Sequence, residues 1–226
     1  MATERNDYKV MSVFHITDLF KETHLKEYPK GQMLYYEGDS IELLHCIETG
    51  YVKVYNISHG GSERIIFIYG PGDVFPLMSY LRGDTSLHWF YSTMTSVSLR
   101  SIRPKLLMDR MRNDILVGEA LANYAISISD EFIQRIEMLS VNDSKRKIVA
   151  LLAFLVKKAG AGRPHCEIGV PITQQDMADM SGLTRESTSR QLVNLRSVGL
   201  LIGPSNKLVV DLVKLEIAIE RLGIVI

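Results

Sequence analysis

Cysteine is scarce in this chain, and its scarcity argues against two kinds of site. The 226 residues include only Cys46 and Cys166, which lie far apart and without the spacing of a metal site. The sequence therefore indicates neither a disulfide framework nor an iron–sulfur cluster held by cysteines. We predict no metal site.

Long apolar runs are also missing. No stretch approaches the roughly 18 apolar residues that a membrane span requires, and the first residues, Met1 to Asp7, are too polar for a signal peptide. We therefore expect a cytoplasmic protein that has no membrane partner.

The motifs of common enzymes are absent as well. His45, His59 and His88 are separated, and they form none of the closely spaced histidine and carboxylate patterns that metal enzymes on β barrels use. There is no glycine-rich phosphate loop and no nucleophile elbow. We predict that the protein is not an enzyme and has no catalytic residues.

Net charge is zero over the whole chain, but its two parts differ. Residues 1–142 carry 14 Lys and Arg against 18 Asp and Glu, whereas residues 143–226 carry 12 against 8. The C-terminal part is therefore the basic one, as expected for a region whose partner is polyanionic.

That basic part contains the most informative pattern, which runs from Ile172 to Leu192. Thr173 and Asp176 have the spacing of a capping box and begin a first helix. Gly182 lies in a turn where positive φ costs little, and Thr184 then caps a second helix. Two short helices joined in this way predict a helix-turn-helix.

One face of the second helix has the chemistry that base recognition needs. At about 100° per residue, Arg185, Glu186, Ser189 and Arg190 fall on one side, opposite an apolar side. Arginine donates two hydrogen bonds to guanine, and a carboxylate accepts from cytosine. The alternative is a solvated surface with a weak ion pair between Glu186 and Arg190. The predicted DNA-binding residues are Arg185, Glu186, Ser187, Ser189, Arg190, Thr173, Thr184, Arg196 and Lys207.

The remaining DNA contacts are expected at phosphates. Ser187 and Ser189 suit contacts that fix the register on the duplex. Arg196 and Lys207 either reach phosphates or are ordinary exposed basic residues. Lys207 belongs to a predicted wing, in which residues 200–202 and 207–210 flank Gly203 to Asn206.

Short β-rich runs separated by glycines occupy the N-terminal part. These runs predict an antiparallel barrel or sandwich, and a helical lead-in is expected over Phe14 to Lys26. The predicted strands are 33–36, 43–47, 51–57, 64–69 and 91–102.

A long helix from about Asn113 to Leu139 follows a shorter one that begins near Pro104. Its apolar residues alternate spacings of three and four, which is typical of a two-stranded coiled coil. Ile126, Ile133 and Ile136 give it a second apolar side, so it can contact both its own β domain and a second copy. The predicted dimer seam is Gly118, Leu121, Ala125, Ile128, Phe132, Arg135 and Leu139.

A hinge at Asn142 to Ser144 precedes a helix over Lys145 to Lys158. The composition of residues 159–165 then indicates an exposed loop. Three regions follow from these boundaries: an effector or sensor domain over 1–110, a dimerisation helix with hinge over 111–142, and a DNA-binding domain over 143–226.

At its helix-turn-helix the chain resembles the CRP/FNR regulators, the catabolite activator proteins and their relatives. Segments 30–39, 47–55 and 69–75 are similar to the β-roll repeats of that family. The resemblance implies an α+β fold class, with an N-terminal double-stranded β-roll resembling cyclic-nucleotide-binding domains, a long dimerisation helix and a C-terminal winged helix-turn-helix.

The same resemblance implies the partners. They are double-stranded DNA, a second copy of the chain and RNA polymerase, which in the family can touch the surface corresponding to residues 159–165. Arg185, Glu186 and Arg190 match the base-reading trio of the catabolite activator branch. A palindromic operator is implied, bent on binding, with a half-site that is either TGTGA-like or TTGA-like.

The residues that would bind an effector depart from the family pattern. Cyclic-nucleotide members carry a glutamate for the ribose and an arginine for the phosphate, and both are missing from Phe75 to Ser79 and Ser86 to Trp89. Burying a cyclic phosphate without a cation would cost several kcal/mol. We therefore predict no useful binding of cyclic AMP.

An apolar effector pocket and an ordinary packed core are both open interpretations of this region. Haem is a further possibility, with His45, Cys46 and His88 as axial ligands, and so is an architectural DNA binder without any ligand. No cofactor is predicted. The candidate pocket residues are Phe75, Leu77, Met78, Leu87, Trp89, Phe132 and Ile133.

Overall fold

The computed structural model describes residues 15–159, 164–204 and 207–224. A short 3-10 helix, Ile16–Phe20, comes first. The elements that follow, in chain order, are β1 Leu25–Tyr28, β2 Met33–Tyr35, β3 Leu44–Thr49, β4 Val52–Ile57, β5 Glu63–Tyr69, β6 Val74–Phe75, α1 Leu77–Arg82, β7 Phe90–Thr93, β8 Val97–Ile102, α2 Pro104–Asn113, α3 Ile115–Ser140, α4 Ser144–Ala159, β9 His165–Glu167, α5 Gln174–Ser181, α6 Arg185–Ser197, β10 Leu201–Ile202, β11 Val209–Asp211 and α7 Leu212–Leu222.

The N-terminal domain consists of two four-stranded antiparallel sheets. Their strand orders are β1-β8-β3-β6 and β2-β7-β4-β5. Residues from both sheets, among them Ile47, Val52, Phe67 and Leu99, pack into one core between them. The predicted antiparallel β domain and the α+β class are confirmed.

Two local expectations were wrong. Only Ile16–Phe20 of the predicted lead-in helix is helical, while Leu25–Tyr28 is a strand paired with β8, and Phe14 lies outside the described residues. The run 91–102 is two strands, β7 and β8, because the chain turns at residues 94–96 and passes from one sheet to the other. In both places, pairing with strands distant in sequence determined the structure, and local propensity did not.

The long helix α3 begins at Asp114, whose carboxylate accepts a hydrogen bond from the Leu116 backbone N–H at 3.0 Å. One side of α3 packs on the β domain of its own chain. Leu121 and Ile128 are 6% and 1% exposed there. These two residues of the predicted dimer seam are therefore enclosed within their own chain, and the seam as a whole stays a prediction.

The C-terminal domain combines four helices with the small sheet β10-β11-β9. The apolar side of α4, including Ile148, Leu152 and Leu155, is buried against α5, α6 and the sheet. The strands β10 and β11 form the expected wing, although residues 205–206 lie outside the described part. The sequence patterns had not indicated α7.

The two domains touch each other directly. Tyr51, Ile65 and Ile68 of the β domain belong to the same buried cluster as the core of the C-terminal domain. The long helix is also tied to the β domain, because Arg135 of α3 donates a hydrogen bond to the backbone carbonyl of Ile65 in β5 at 3.1 Å. In the described ranges, no helix combines the length and apolarity needed to cross a membrane.

Candidate DNA-binding surface and β-domain interior

The first helix of the helix-turn-helix, α5, starts with a complete capping box. Thr173 Oγ1 accepts from the Asp176 backbone N–H at 3.1 Å, and the Thr173 N–H donates to Asp176 Oδ2 at 2.8 Å. Gly182 ends the helix at φ +62°, a conformation that favours glycine. The turn to α6 is therefore specified by local chemistry, as the sequence predicts.

The second helix, α6, is anchored by its apolar side. Thr184 Oγ1 accepts from the Ser187 backbone N–H at 3.1 Å and caps the helix. Thr188, Leu192 and Leu195 are 0%, 5% and 1% exposed. Burial on this side fixes the rotation of α6 and directs the opposite side to the solvent.

The opposite side of α6 presents the predicted recognition residues. Arg185, Glu186 and Arg190 are exposed, and Ser189 is half-buried. Within the described ranges, neither guanidinium has a hydrogen-bond or ion-pair partner of its own, and no ion pair joins Glu186 to Arg190. These charged groups are therefore available to an external partner.

The recognition residues line an open groove together with residues that the sequence patterns did not single out. Val193, which is 62% exposed, follows Ser189 by one helical turn and lies between it and Glu186 around the axis. The periodicity already applied to α6 contained this signal. The groove is lined by Gln174, Arg185, Glu186, Ser189, Arg190, Val193 and Asn194.

Of the two basic residues predicted to reach phosphates, Arg196 ties the wing to α6, whereas Lys207 pairs with Glu167. Arg196 donates to the carbonyls of Gly203 and Lys207, at 3.4 and 3.3 Å. The Lys207 ammonium lies 2.8 Å from a Glu167 carboxylate oxygen. Arg196 therefore links the wing to the helix, whereas the half-exposed Lys207 remains on the surface.

In the β domain, the candidate pocket residues are distributed over separate places. Phe75 is fully buried between the rings of Tyr69 and Tyr91, with centroids 5.5 and 5.8 Å away. Leu87, Met78 and Trp89 pack in the same cluster, while Leu77 belongs to another. Phe132 contacts Phe67, and Ile133 is 60% exposed. The packed-core interpretation accounts for Phe75, Leu77 and Leu87.

His45, a candidate haem ligand, is held inside the β domain. Its Nε2 lies 3.0 Å from the Tyr35 hydroxyl and its Nδ1 lies 2.7 Å from Ser101 Oγ. Burial, and to a smaller extent the charge of Lys26, lower the pKa of His45 to about 4. The ring is therefore neutral near pH 7, with both nitrogens engaged.

The other two candidate ligands lie elsewhere. Cys46 follows His45 on the same strand, so its side chain points to the opposite face, and burial raises its pKa to about 12. The side chain of His88 is 59% exposed. Within the described parts of the chain, no group of three or more His, Cys, Asp or Glu side chains is placed to hold a metal ion.

A winged helix-turn-helix with exposed arginine and glutamate on its second helix defines a class of protein, the DNA-binding regulators. Comparison with known sequences agrees. A sequence model described as the Crp-like helix-turn-helix domain matches residues 146–217, and one described as the cyclic nucleotide-binding domain matches residues 25–114. Together they cover most of the chain. The chain belongs to the CRP/FNR family of transcription regulators.

The proteins similar to this chain are named for different roles. The nitrogen fixation regulation protein FixK of Rhizobium meliloti is 25% identical over 174 residues, covering 77% of this chain and 76% of the relative. The cyclic AMP receptor protein of Thermus thermophilus is 27% identical over 179 residues, covering 78% and 79%. The solved structure of FixK2 from Bradyrhizobium japonicum shares the fold, with a TM-score of 0.73 and 22% identity over 86% of this chain and 96% of that one.

Proposed function

We propose that the protein is a homodimeric transcription regulator that binds a palindromic operator in the cytoplasm, with Arg185, Glu186 and Arg190 reading base edges in the major groove. The observation that carries this proposal is the exposure of these charged groups, without internal partners, on a helix whose other side is buried. Arginine groups can read guanine and a carboxylate can read cytosine, which suits the G·C pairs of a TGTGA-like or TTGA-like half-site.

The dimer contact that we propose is the solvent-exposed side of α3. Ile126, Ile133 and Ile136 are 59%, 60% and 68% exposed, although they are large and apolar. Spacings of seven and three place them along one seam, as in a two-stranded coiled coil. Ala125, Phe132 and Leu139 of the predicted seam flank this side, while Arg135 is tied to Ile65 in its own chain.

Two-fold symmetry converts this contact into operator recognition. A dimer that holds its two α6 helices roughly 34 Å apart places them in successive major grooves of one face of the duplex. Thr173, Thr184, Ser187, Ser189 and Lys207 would contact phosphates, and operator bending would bring more of this surface to the DNA. RNA polymerase remains a proposed partner; its expected contact includes residues 160–163, outside the described part.

We propose that any effector of the β domain is a small molecule other than cyclic AMP. A cyclic nucleotide needs a cation for its phosphate. The segment that follows the turn between β5 and β6 carries instead the apolar Phe75 and Leu77, which are fully buried. The stacked rings of Tyr69, Phe75 and Tyr91 fill the adjoining interior. A ligand-independent architectural binder is the alternative, distinguished by an affinity that cell extract leaves unchanged.

Fluorescence anisotropy with labelled duplexes tests the proposal. The protein should bind a palindrome of TGTGA-like or TTGA-like half-sites more tightly than a shuffled duplex of equal composition, and as a dimer by analytical ultracentrifugation. A monomer with equal affinity for both duplexes would refute the proposal. Repeating the titration with cell extract separates an effector-dependent regulator from an architectural binder.

A further inference from the structure

One buried ammonium group joins three parts of the molecule. Lys158, in the last turn of α4, lies 2.8 Å from a carboxylate oxygen of Asp73 and 2.8 Å from one of Glu131. Asp73 is in the turn between β5 and β6, and Glu131 is in the middle of α3. The β domain, the long helix and the DNA-binding domain therefore meet at this ionic junction of Asp73, Glu131 and Lys158.

The junction is enclosed by tightly fitted surroundings. The side chains of Lys158, Glu131 and Asp73 are only 5%, 7% and 13% exposed. The Lys158 ammonium also lies over the ring of Phe67, 5.0 Å from its centroid. A Cβ on Gly70 would come within 2.9 Å of the Lys158 carbonyl oxygen, so the turn of the β domain touches the end of α4.

Charge makes this contact different from the apolar interface around it. Apolar surfaces tolerate sliding, whereas a buried ammonium between two carboxylates is favourable only when both short contacts persist. Asp73 is further fixed by the Gly70 backbone N–H, which donates to it at 2.7 Å. The junction therefore favours one orientation of the DNA-binding domain on the rest of the chain.

This orientation leaves the DNA-binding surface free. With the domain docked through Lys158, Arg185, Glu186 and Arg190 are all exposed, and none of them takes part in the interface with the β domain. A contact that inhibits binding by covering the surface would bury them. The docked orientation therefore does not cover these three side chains.

We propose that Lys158 is a positioning residue for operator recognition, which sets the half-site spacing accepted by the dimer by pairing with Asp73 and Glu131. This inference rests on the proposed function as a dimer on a palindrome. Each recognition helix keeps its own base contacts when the junction is lost. The dimer instead loses the fixed distance and orientation between its two recognition helices.

The experiment compares single half-sites with palindromes whose half-sites are moved apart or together by one or two base pairs. Wild type should show a sharp spacing optimum. Lys158→Met leaves the buried Asp73 without a cation and leaves Glu131 with only the more distant Lys157, which should open the interface. We expect it to lose roughly tenfold or more in affinity at the optimal spacing, to flatten the spacing profile, and to keep the half-site affinity of wild type.

Lys157→Met is the matched control. Lys157 is adjacent on α4 and carries the same charge, but it is 47% exposed and its ammonium lies 3.4 Å from Glu131. It should retain the sharp spacing optimum. Glu131→Gln, which keeps the side-chain shape and removes one charge, should flatten the profile in the same direction as Lys158→Met. Thermal melting by circular dichroism reports whether each variant is folded.

The outcomes separate the two levels of the proposal. A variant that is merely unstable would lower the affinity for every duplex in proportion and leave the optimum sharp, and that result overturns the role of Lys158. A wild-type spacing optimum unchanged in both Lys158→Met and Glu131→Gln overturns it too. If wild type itself binds palindromes no better than single half-sites, the proposed function fails first and this inference falls with it.

Discussion

In α6, Arg185, Glu186 and Arg190 project into solvent from a helix whose other side is packed, whereas in the β domain His45 and Tyr69 are buried. Burial lowers the pKa of His45 to about 4 and raises the pKa of Tyr69 far above its usual value. Exposed charges remain accessible to an external polyanion, while buried neutral groups stabilise the fold. We therefore expect the polar residues of α6 to serve recognition, whereas those inside the β domain serve architecture.

The largest expected effect concerns α3, which connects these two regions. Ile133→Glu places a charge on the proposed dimer contact and should give a monomer, because two carboxylates would meet across a symmetric apolar seam. Losing the second recognition helix should weaken palindrome binding by roughly 100-fold or more. Analytical ultracentrifugation and anisotropy measure the two effects.

Ser127→Glu is the control for that substitution, since Ser127 is exposed on another side of the same helix. It should leave the dimer and its affinity intact. A fully dimeric Ile133→Glu protein would show that the exposed isoleucines of α3 do not form the contact.

The next effect tests base recognition by the exposed region. Arg190→Ala should cost about 1–3 kcal/mol per half-site and relax the preference at one G·C pair in each. Competition titrations with single-base variants of the operator measure it. Lys207→Ala, on the wing, should instead weaken all sequences similarly and reduce the salt dependence. If Arg190→Ala lowered the affinity for every operator variant equally, Arg190 would contact the phosphate backbone and not a base.

The buried region should respond to pH rather than to DNA sequence. In the folded protein the pKa of His45 is about 4, below its ordinary value of 6.5. Between pH 4 and pH 6.5 the unfolded chain therefore binds a proton at His45 more readily than the folded chain does. The contribution of neutral His45 to stability is therefore present above pH 6.5 and is lost as the pH falls toward 4. The loss should reach about 3 kcal/mol.

Urea unfolding between pH 7 and pH 4.5 checks this linkage. His45→Gln keeps a polar side chain but cannot titrate, so its unfolding free energy should fall less steeply over the same range. Identical slopes for the two proteins would show that His45 is not responsible.

The smallest effect concerns Val193, the exposed apolar residue in the middle of the recognition surface. We expect its side chain to contact a thymine methyl group. Replacing thymines by deoxyuridine one at a time should identify a symmetric position where wild type loses about 0.8 kcal/mol per methyl. Val193→Ala should lose less there, and equal losses in both proteins would exclude the contact.

The helix-turn-helix could be predicted from sequence because its determinants are local. Thr173, Asp176, Gly182 and Thr184 specify caps and a turn within a few residues, and periodicity then assigns the sides of α6. Val193 was missed although the same periodicity contained it. The β runs were recognisable for similar reasons, since glycines marked their ends.

Long-range contacts decided what the sequence did not reveal. Both sides of α3 are apolar, so periodicity could not show that Leu121 and Ile128 face the β domain while Ile133 stays exposed. The strand at Leu25–Tyr28 depends on its pairing with β8. The ionic junction brings together residues from three elements distant in sequence, and no spacing rule predicts it.

Selection of bound sites from random duplex DNA tests the central claim most directly, using the purified full chain. The account predicts enrichment of a two-fold-symmetric sequence whose half-sites are centred about one helical turn apart and contain G·C pairs at fixed positions. Arg190→Ala should lose the preference at one of those positions. Enrichment of no motif, with and without cell extract, would contradict the account.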